Sequence, residues 1–241
     1  MLVLALLFGL DADASAQTNI QEMYDFNREH LTTTIEGLYN DNWGSTFFFV
    51  DIYHPTKGGA ITPTGYYTEI ARGLNFWKGT KLAPLSLHVE WNGGQSANNA
   101  WLFGVEYLLH STDYRNVFNF ELMYKNIQKQ TDNIPLQFTF VWSLKDFCNV
   151  KGLSFSGFFD LWGEKTGWTD DQGKTEETDL VFLAEPQLWY NVGRHFGCPN
   201  LNVGGEVEVA CNFAGGWQSG DKFYKNKGLT AAPCLGIKWV F

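Results

Sequence analysis

The chain has 241 residues, enough for one large all-β domain or two small ones. Charged residues make up only 18% while aromatics reach 17%, including ten Trp and ten Tyr, the types enriched at membrane–water interfaces. A net charge of −9 repels phosphate backbones and excludes nucleic acid as a natural partner. Mean hydropathy is −0.21, and no stretch of the mature chain reads as a transmembrane helix. Barrel strands stay open as a way across a bilayer, because their alternation averages out in such a measure.

In chain order, the first segment is the apolar run Leu2–Phe8, followed by small residues and the "ASA" of Ala14–Ala16. This pattern predicts an export signal over residues 1–16, cut before Gln17, although no Lys or Arg precedes the run and Asp11 and Asp13 follow it closely. Residues 17–241 are then a single domain. Twelve strand-like runs follow, at about 20–28, 31–40, 43–54, 65–77, 85–92, 99–110, 116–126, 134–146, 153–165, 179–192, 201–213 and 229–241. Their lengths suit tilted strands crossing a bilayer. Convincing helical periodicity, internal repeats and a domain-splitting linker are all missing from the sequence.

Parity separates a soluble sandwich from a membrane barrel. In the eighth run Leu136, Phe138, Phe140, Trp142 and Leu144 share one face and Gln137, Thr139, Ser143 and Lys145 the other, with Val141 the exception. The sixth sets Trp101, Phe103, Val105, Tyr107 and Leu109 against Gly104, Glu106 and His110. The eleventh sets Leu201, Val203, Val207, Val209 and Phe213 against Asn202, Glu206, Glu208 and Asn212. The polar faces are rich in Gly, Asn and isolated carboxylates and poor in Lys, whereas a soluble sheet solvates itself with charges of both signs and blunts its edges with Lys. Loops after the third, ninth and eleventh runs are long, and those after the second, sixth and eighth are short, the habit of outer-membrane barrels. The reading is an all-β, transmembrane, antiparallel up-and-down β-barrel of about 12 strands, with lipid outside and a polar lumen inside. It belongs in the outer membrane of a Gram-negative bacterium. Lipid is one partner, and the barrel-assembly machinery, reading the last strand that ends in Phe241, is another.

Three stretches carry a family resemblance: "NWGSTFFFVDIYHP" (Asn42–Pro55), "GYYTEIARGLNF" (Gly65–Phe76) and the final strand ending in Phe241. Spread over most of the mature chain, they resemble the nucleoside-specific channel-forming (Tsx-like) outer-membrane proteins and their relatives. The resemblance implies a twelve-stranded barrel that passes nucleosides by diffusion, with Asp51 and Glu69 at positions matching the family. Arg72 departs from the pattern. It falls on the apolar parity, which calls for a β-bulge or another register there. The chain is also somewhat shorter than typical members.

Taking the polar parity as inward gives the lumen carboxylates Glu36, Asp51, Glu69, Glu90, Glu106, Glu121, Asp160, Glu164, Glu185, Glu206 and Glu208. Lys125, Lys145 and Lys238 are the clear cations among them. Phe47, Phe49, Phe158, Trp162 and Trp189 share the inward parity. An acidic lumen discourages anions and favours neutral or cationic solutes. Aromatic faces can stack on a base and carboxylates can accept hydrogen bonds from ribose hydroxyls, so a nucleoside is a coherent passenger. The same aromatics could equally fill a narrow lumen, since twelve strands lie between the side-chain-filled eight-stranded barrel and an open porin.

Enzyme signals are weak. Glu206 and Glu208 sit two apart on one face, with Glu185 on a neighbouring strand, but no orienting partner is evident. Ser86, His88 and Glu90 share a face, which keeps a lipid hydrolase or a closed binding barrel as alternatives; no G-x-S-x-G is present. "GWTDDQGKT" (Gly167–Thr175) has five residues between its glycines where a phosphate loop needs four. No CxxC or HxxxH spacing occurs, so neither a zinc site nor any cofactor is expected. Cys148 and Cys198 fall in turns expected to be neighbours on the periplasmic rim and are disulfide candidates. Cys211 and Cys234 lie on adjacent strands but opposite faces and are not expected to pair.

Overall fold

The computed structural model describes residues 15–54, 62–95, 97–130, 133–169, 175–213, 217–219, 222–224 and 229–241. Of the leader expected over residues 1–16, only Ser15 and Ala16 fall among them. The strands are β1 (Ser15–Asp25), β2 (His30–Asp41), β3 (Gly44–His54), β4 (Gly65–Leu74), β5 (Leu85–Gly94), β6 (Ala100–His110), β7 (Asn116–Ile127), β8 (Leu136–Lys145) and β9 (Leu153–Thr169). Then come β10 (Thr175–Ala184), β11 (Gln187–Tyr190), β12 (Leu201–Cys211), the small hairpin β13 (Trp217–Ser219) and β14 (Lys222–Tyr224), and β15 (Leu229–Val240).

From β2 to β10 each strand pairs antiparallel with the one before it, β12 pairs with β15, and β15 closes the sheet on β1, from Asn19 opposite Val240 to Asp25 opposite Cys234. β10 and β11 are two halves of one stave: both lie between β9 and β12 and break at Glu185–Pro186. Pro186 has no N–H to give the ladder, so the break falls there. The result is a closed twelve-stranded antiparallel barrel, with β13–β14 as a hairpin in the loop between β12 and β15.

Closure leaves two surfaces. Outward positions carry large apolar side chains that stay exposed, such as Trp101, Phe103 and Tyr107 on β6, Leu122 on β7 and Leu235 and Ile237 on β15. Inward positions carry Asn19, Gln21, Ser86, His88, Asn92, Gln137 and Thr139, all buried. An apolar band facing out and polar groups facing in is the membrane-barrel pattern, inverted with respect to a soluble protein. None of the described helices is long and apolar enough to cross a membrane, which says nothing against strands doing so.

Three expectations change. The β3–β4 register runs unbroken from Gly44–Leu74 to Tyr53–Gly65, so Arg72 sits on no bulge. Its guanidinium lies on the outer side and donates to both Asp41 carboxylate oxygens (2.8 and 2.9 Å) and to Thr46 Oγ1 (2.8 Å). All four cysteines are free thiols, so Cys148 and Cys198 form no disulfide. Their turns do meet, Arg194 donating to the Lys151 carbonyl, but that contact joins backbone and guanidinium rather than the thiols. The alternation of loop lengths is only partial, since residues 75–84 and 191–200 also make long connections on the side of the short β2–β3 turn. Part of each predicted long loop lies outside the described residues. The ends of "GWTDDQGKT" that are described pair across β9 and β10, Gly167 opposite Glu177, which is hairpin rather than strand-to-helix geometry.

Candidate functional site: the barrel interior

The inward parity is continuous round the barrel because every strand pair keeps facing residues on one side. Glu36 faces Asn19, Asp51 faces Thr34, and Phe49 faces Glu69. Glu106 faces Glu121, Asp160 faces Thr139, and Glu206 faces Gln187. Phe47, Glu90, Phe158, Trp162, Trp189 and Glu208 follow on the same parities, and Glu185, in the break, donates its N–H to the Phe158 carbonyl and lies among Asp51, Glu206 and Glu208. The residues read from the sequence as lumen-facing therefore point inward together.

One sector is an acidic wall with aromatic rings set into it. On β3 and β4, Phe49 lies between Phe47 and Tyr67, ring centroids 6.1 and 5.9 Å away, and the Tyr67 hydroxyl donates to Glu69 at 2.6 Å. Asp51 stands opposite Tyr67 and accepts from Thr34. Tyr67 was not named in the sequence reading, although it stands two residues before Glu69 and shares its parity. Asn19 donates to Glu36 at 2.9 Å, and Gln187 donates to Glu206 at 2.9 Å. Arg28 enters from the β1–β2 turn, binding Asp25 at 2.9 Å and also Glu208. That cation too was missed, since it ends the first strand-like run on the parity of Ile20, Tyr24 and Phe26, whereas β1 stops at Asp25 and the turn swings Arg28 inward.

The tryptophans are less free than their parity suggested. Lys125 Nζ lies 4.2 Å from the Trp162 ring centre and Lys238 Nζ lies 4.3 Å from that of Trp189, so each indole already has a cation on one face. Trp162 and Trp189 also donate their ring N–H groups to Glu164 (2.7 Å) and Gln187 (2.9 Å). Both are buried, at 4% and 1% exposure, which makes them packing residues of the interior rather than bare stacking faces.

A second element was not read from the sequence. Leu102, Met123, Ile127, Trp162, Val181 and Leu183 point inward and pack into one apolar cluster with Ala100 and Ala210. The cluster draws on β6, β7, β9, β10 and β12, so it reaches across the interior and narrows it. The signal was present as unbroken apolar runs, "WLF" at 101–103 and "LVFLA" at 180–184, which mean that both faces are covered.

Further along the interior, His88 bridges carboxylates, Nδ1 lying 3.0 Å from Glu106 and Nε2 3.1 Å from Glu90. Ser86 and His88 are thus inside the barrel, away from the face that carries the exposed apolar side chains. The carboxylates at 185, 206 and 208 likewise line the interior, with Glu206 and Glu208 held by Gln187 and Arg28.

Residues 17–241 match the family described as Domain of unknown function (DUF5020). The chain belongs to that family. No curated protein sequence matches it. Among solved structures, the NanC porin superposes with a TM-score of 0.55 at 9% identity, covering 92% of this chain and 98% of that one. Omp33 of Acinetobacter baumannii gives 0.41 at 12% identity, covering 94% and 97%. OpdK of Pseudomonas aeruginosa gives 0.38 at 7% identity, covering 95% and 98%. At such identities the NanC likeness speaks for fold alone: this DUF5020 member has the barrel fold of an outer-membrane porin.

Proposed function

We propose that the barrel is a passive channel for small polar solutes in the outer membrane of a Gram-negative bacterium, and that it does no chemistry on them. The observation that carries this reading is the closed wall with carboxylates facing in and apolar side chains facing out. A polar interior in a membrane barrel suits the passage or holding of a polar solute. The excess of inward carboxylates favours neutral or cationic passengers over anions.

Nucleosides are the passengers we favour. Phe47, Phe49 and Tyr67 offer ring faces beside Asp51 and Glu69, which can accept from ribose hydroxyls, and this wall lies where the chain resembles the Tsx-like channels. Export through a leader over residues 1–16 and assembly through the strand ending in Phe241 belong to the same reading. A second reading, a closed binding barrel, is favoured by the apolar cluster of Leu102, Met123 and Val181 across the interior. Liposome swelling decides between them. Swelling in adenosine or thymidine that exceeds swelling in a sugar of similar mass, and that falls in Phe49→Ala, supports the nucleoside channel. Equal swelling in all solutes leaves a general pore, and none from folded protein leaves the closed barrel.

A further inference from the structure

Three consecutive strands bring metal-ligating atoms to one point of the interior. His88 Nδ1 on β5, Glu106 Oε2 on β6 and Glu121 Oε2 on β7 all lie within 4.8 Å of one another, Nδ1 being 3.0 Å from Glu106 and 3.9 Å from Glu121. Zinc bonds of 2.0–2.2 Å to nitrogen and oxygen in a tetrahedral shell put neighbouring ligand atoms about 3.4 Å apart, between those two distances.

The surroundings orient each ligand. Nε2 of His88 donates to Glu90 Oε2 at 3.1 Å, and Asn92 fixes Glu90 by donating to its other oxygen at 3.2 Å. A ring whose Nε2 carries the proton presents a lone pair at Nδ1, facing the carboxylate oxygen of Glu106. Two lone pairs at 3.0 Å need a proton or a cation between them. Asn119 donates to Glu121 Oε1 at 2.8 Å and so leaves Oε2 for the cluster. A carboxylate behind the histidine and an amide behind the glutamate are the outer supports that ligand sets carry.

Space is reserved as well. Gly73 and Gly104 flank His88 on the two neighbouring strands. A Cβ at Gly73 would fall 2.1 Å from Glu106 Oε1. Only glycine there leaves the Glu106 carboxylate where it is.

We propose that His88, Glu106 and Glu121 form a divalent-cation site inside the barrel, suited to a first-row transition metal such as zinc. One imidazole and two carboxylates fit such a metal better than Ca²⁺, which takes six to eight oxygens. A dication neutralises the two ligating carboxylates, which would otherwise be buried beside Glu90 with no full counter-charge. The proposal stands apart from conduction, because a metal in the wall neither requires nor forbids an open lumen.

The test is refolding into detergent micelles with ZnCl₂ or CaCl₂, removal of free metal by desalting, and metal analysis of the folded fraction, identified by its heat-modifiable migration. The expected result is about one zinc per wild-type chain, little calcium, and at least tenfold weaker zinc retention in Glu121→Gln. Gly73→Ala, which asks the end of the Glu106 side chain and the Ser45 hydroxyl to move, should fold and weaken zinc similarly. No zinc on folded wild type would overturn the proposal in favour of an imidazolium between Glu90 and Glu106. Equal zinc on His88→Gln, or equal calcium on wild type, would overturn it too.

Discussion

Arg72 shows how a charge survives on the outward, apolar parity. Its guanidinium forks onto Asp41 and adds Thr46, so its hydrogen-bonding needs are met within the wall. Glu22 and Thr33 do the same on the outer face, Thr33 Oγ1 donating to Glu22 at 2.7 Å while 2.9 Å from His54 Nε2. Alternation alone could place Arg72 outside but could not name Asp41, which is 31 residues away. His88 and the three carboxylates around it, Glu90, Glu106 and Glu121, were legible singly as inward residues. Their meeting was not, because ligands from three strands leave no fixed spacing for a motif to catch. In the turn after β8, the Gly152 N–H donates to Asp146 at 2.6 Å and holds its carboxyl below the ordinary value; lost hydration opposes this, and Arg115 and then Arg194 assist. Because the folded-state pKa is depressed, the turn's added stability is present above the unfolded value of about 3.9 and fades as pH falls through the folded one. NMR titration of Asp146 should give a midpoint below 3.8; a midpoint above it would mean that the Gly152 contact does not persist in solution.

Among the strands, β7 was the easiest to read and β10–β11 the hardest. Phe118, Phe120, Leu122 and Tyr124 alternate with Asn119, Glu121 and Lys125, and the structure keeps that division, the exception being the inward Met123. Leu122, 56% exposed in mid-strand, is the place to test which face meets lipid. Leu122→Arg should cost about 2–4 kcal/mol in denaturant unfolding from vesicles. A change below about 0.5 kcal/mol, the size usual at a surface site, would mean that this face is in water. In β10–β11 the run at 180–184 is apolar on both faces, so parity could not show Val181 and Leu183 turning inward into the apolar cluster. The break at Glu185–Pro186 depends on the strand beside it. Gly157 sits there with φ +150°, and a Cβ would come 2.3 Å from the Glu185 carbonyl oxygen. Gly157→Ala should therefore destabilise the folded barrel by about 1–3 kcal/mol, read as a lower temperature of the heat-modifiable transition. An unchanged temperature would mean that the break can shift along the strand.

For the whole molecule, strand number, closure and the division into faces were legible because one pattern repeats in most strands: apolar side chains on the outer side, polar contacts on the inner. How open the interior is could not be read. That depends on side chains from opposite walls meeting, as Leu102 meets Val181's cluster and as Lys125 and Lys238 cover the indoles. The narrowed, carboxylate-rich interior predicts small currents carried mainly by cations. The decisive measurement is the reversal potential of single channels in a planar bilayer under a KCl gradient at neutral pH. The account predicts a potential of the sign set by potassium, moving toward zero when Asp51 and Glu69 are both changed to their amides. Anion-selective current, or silence from barrels shown to be folded, would contradict it.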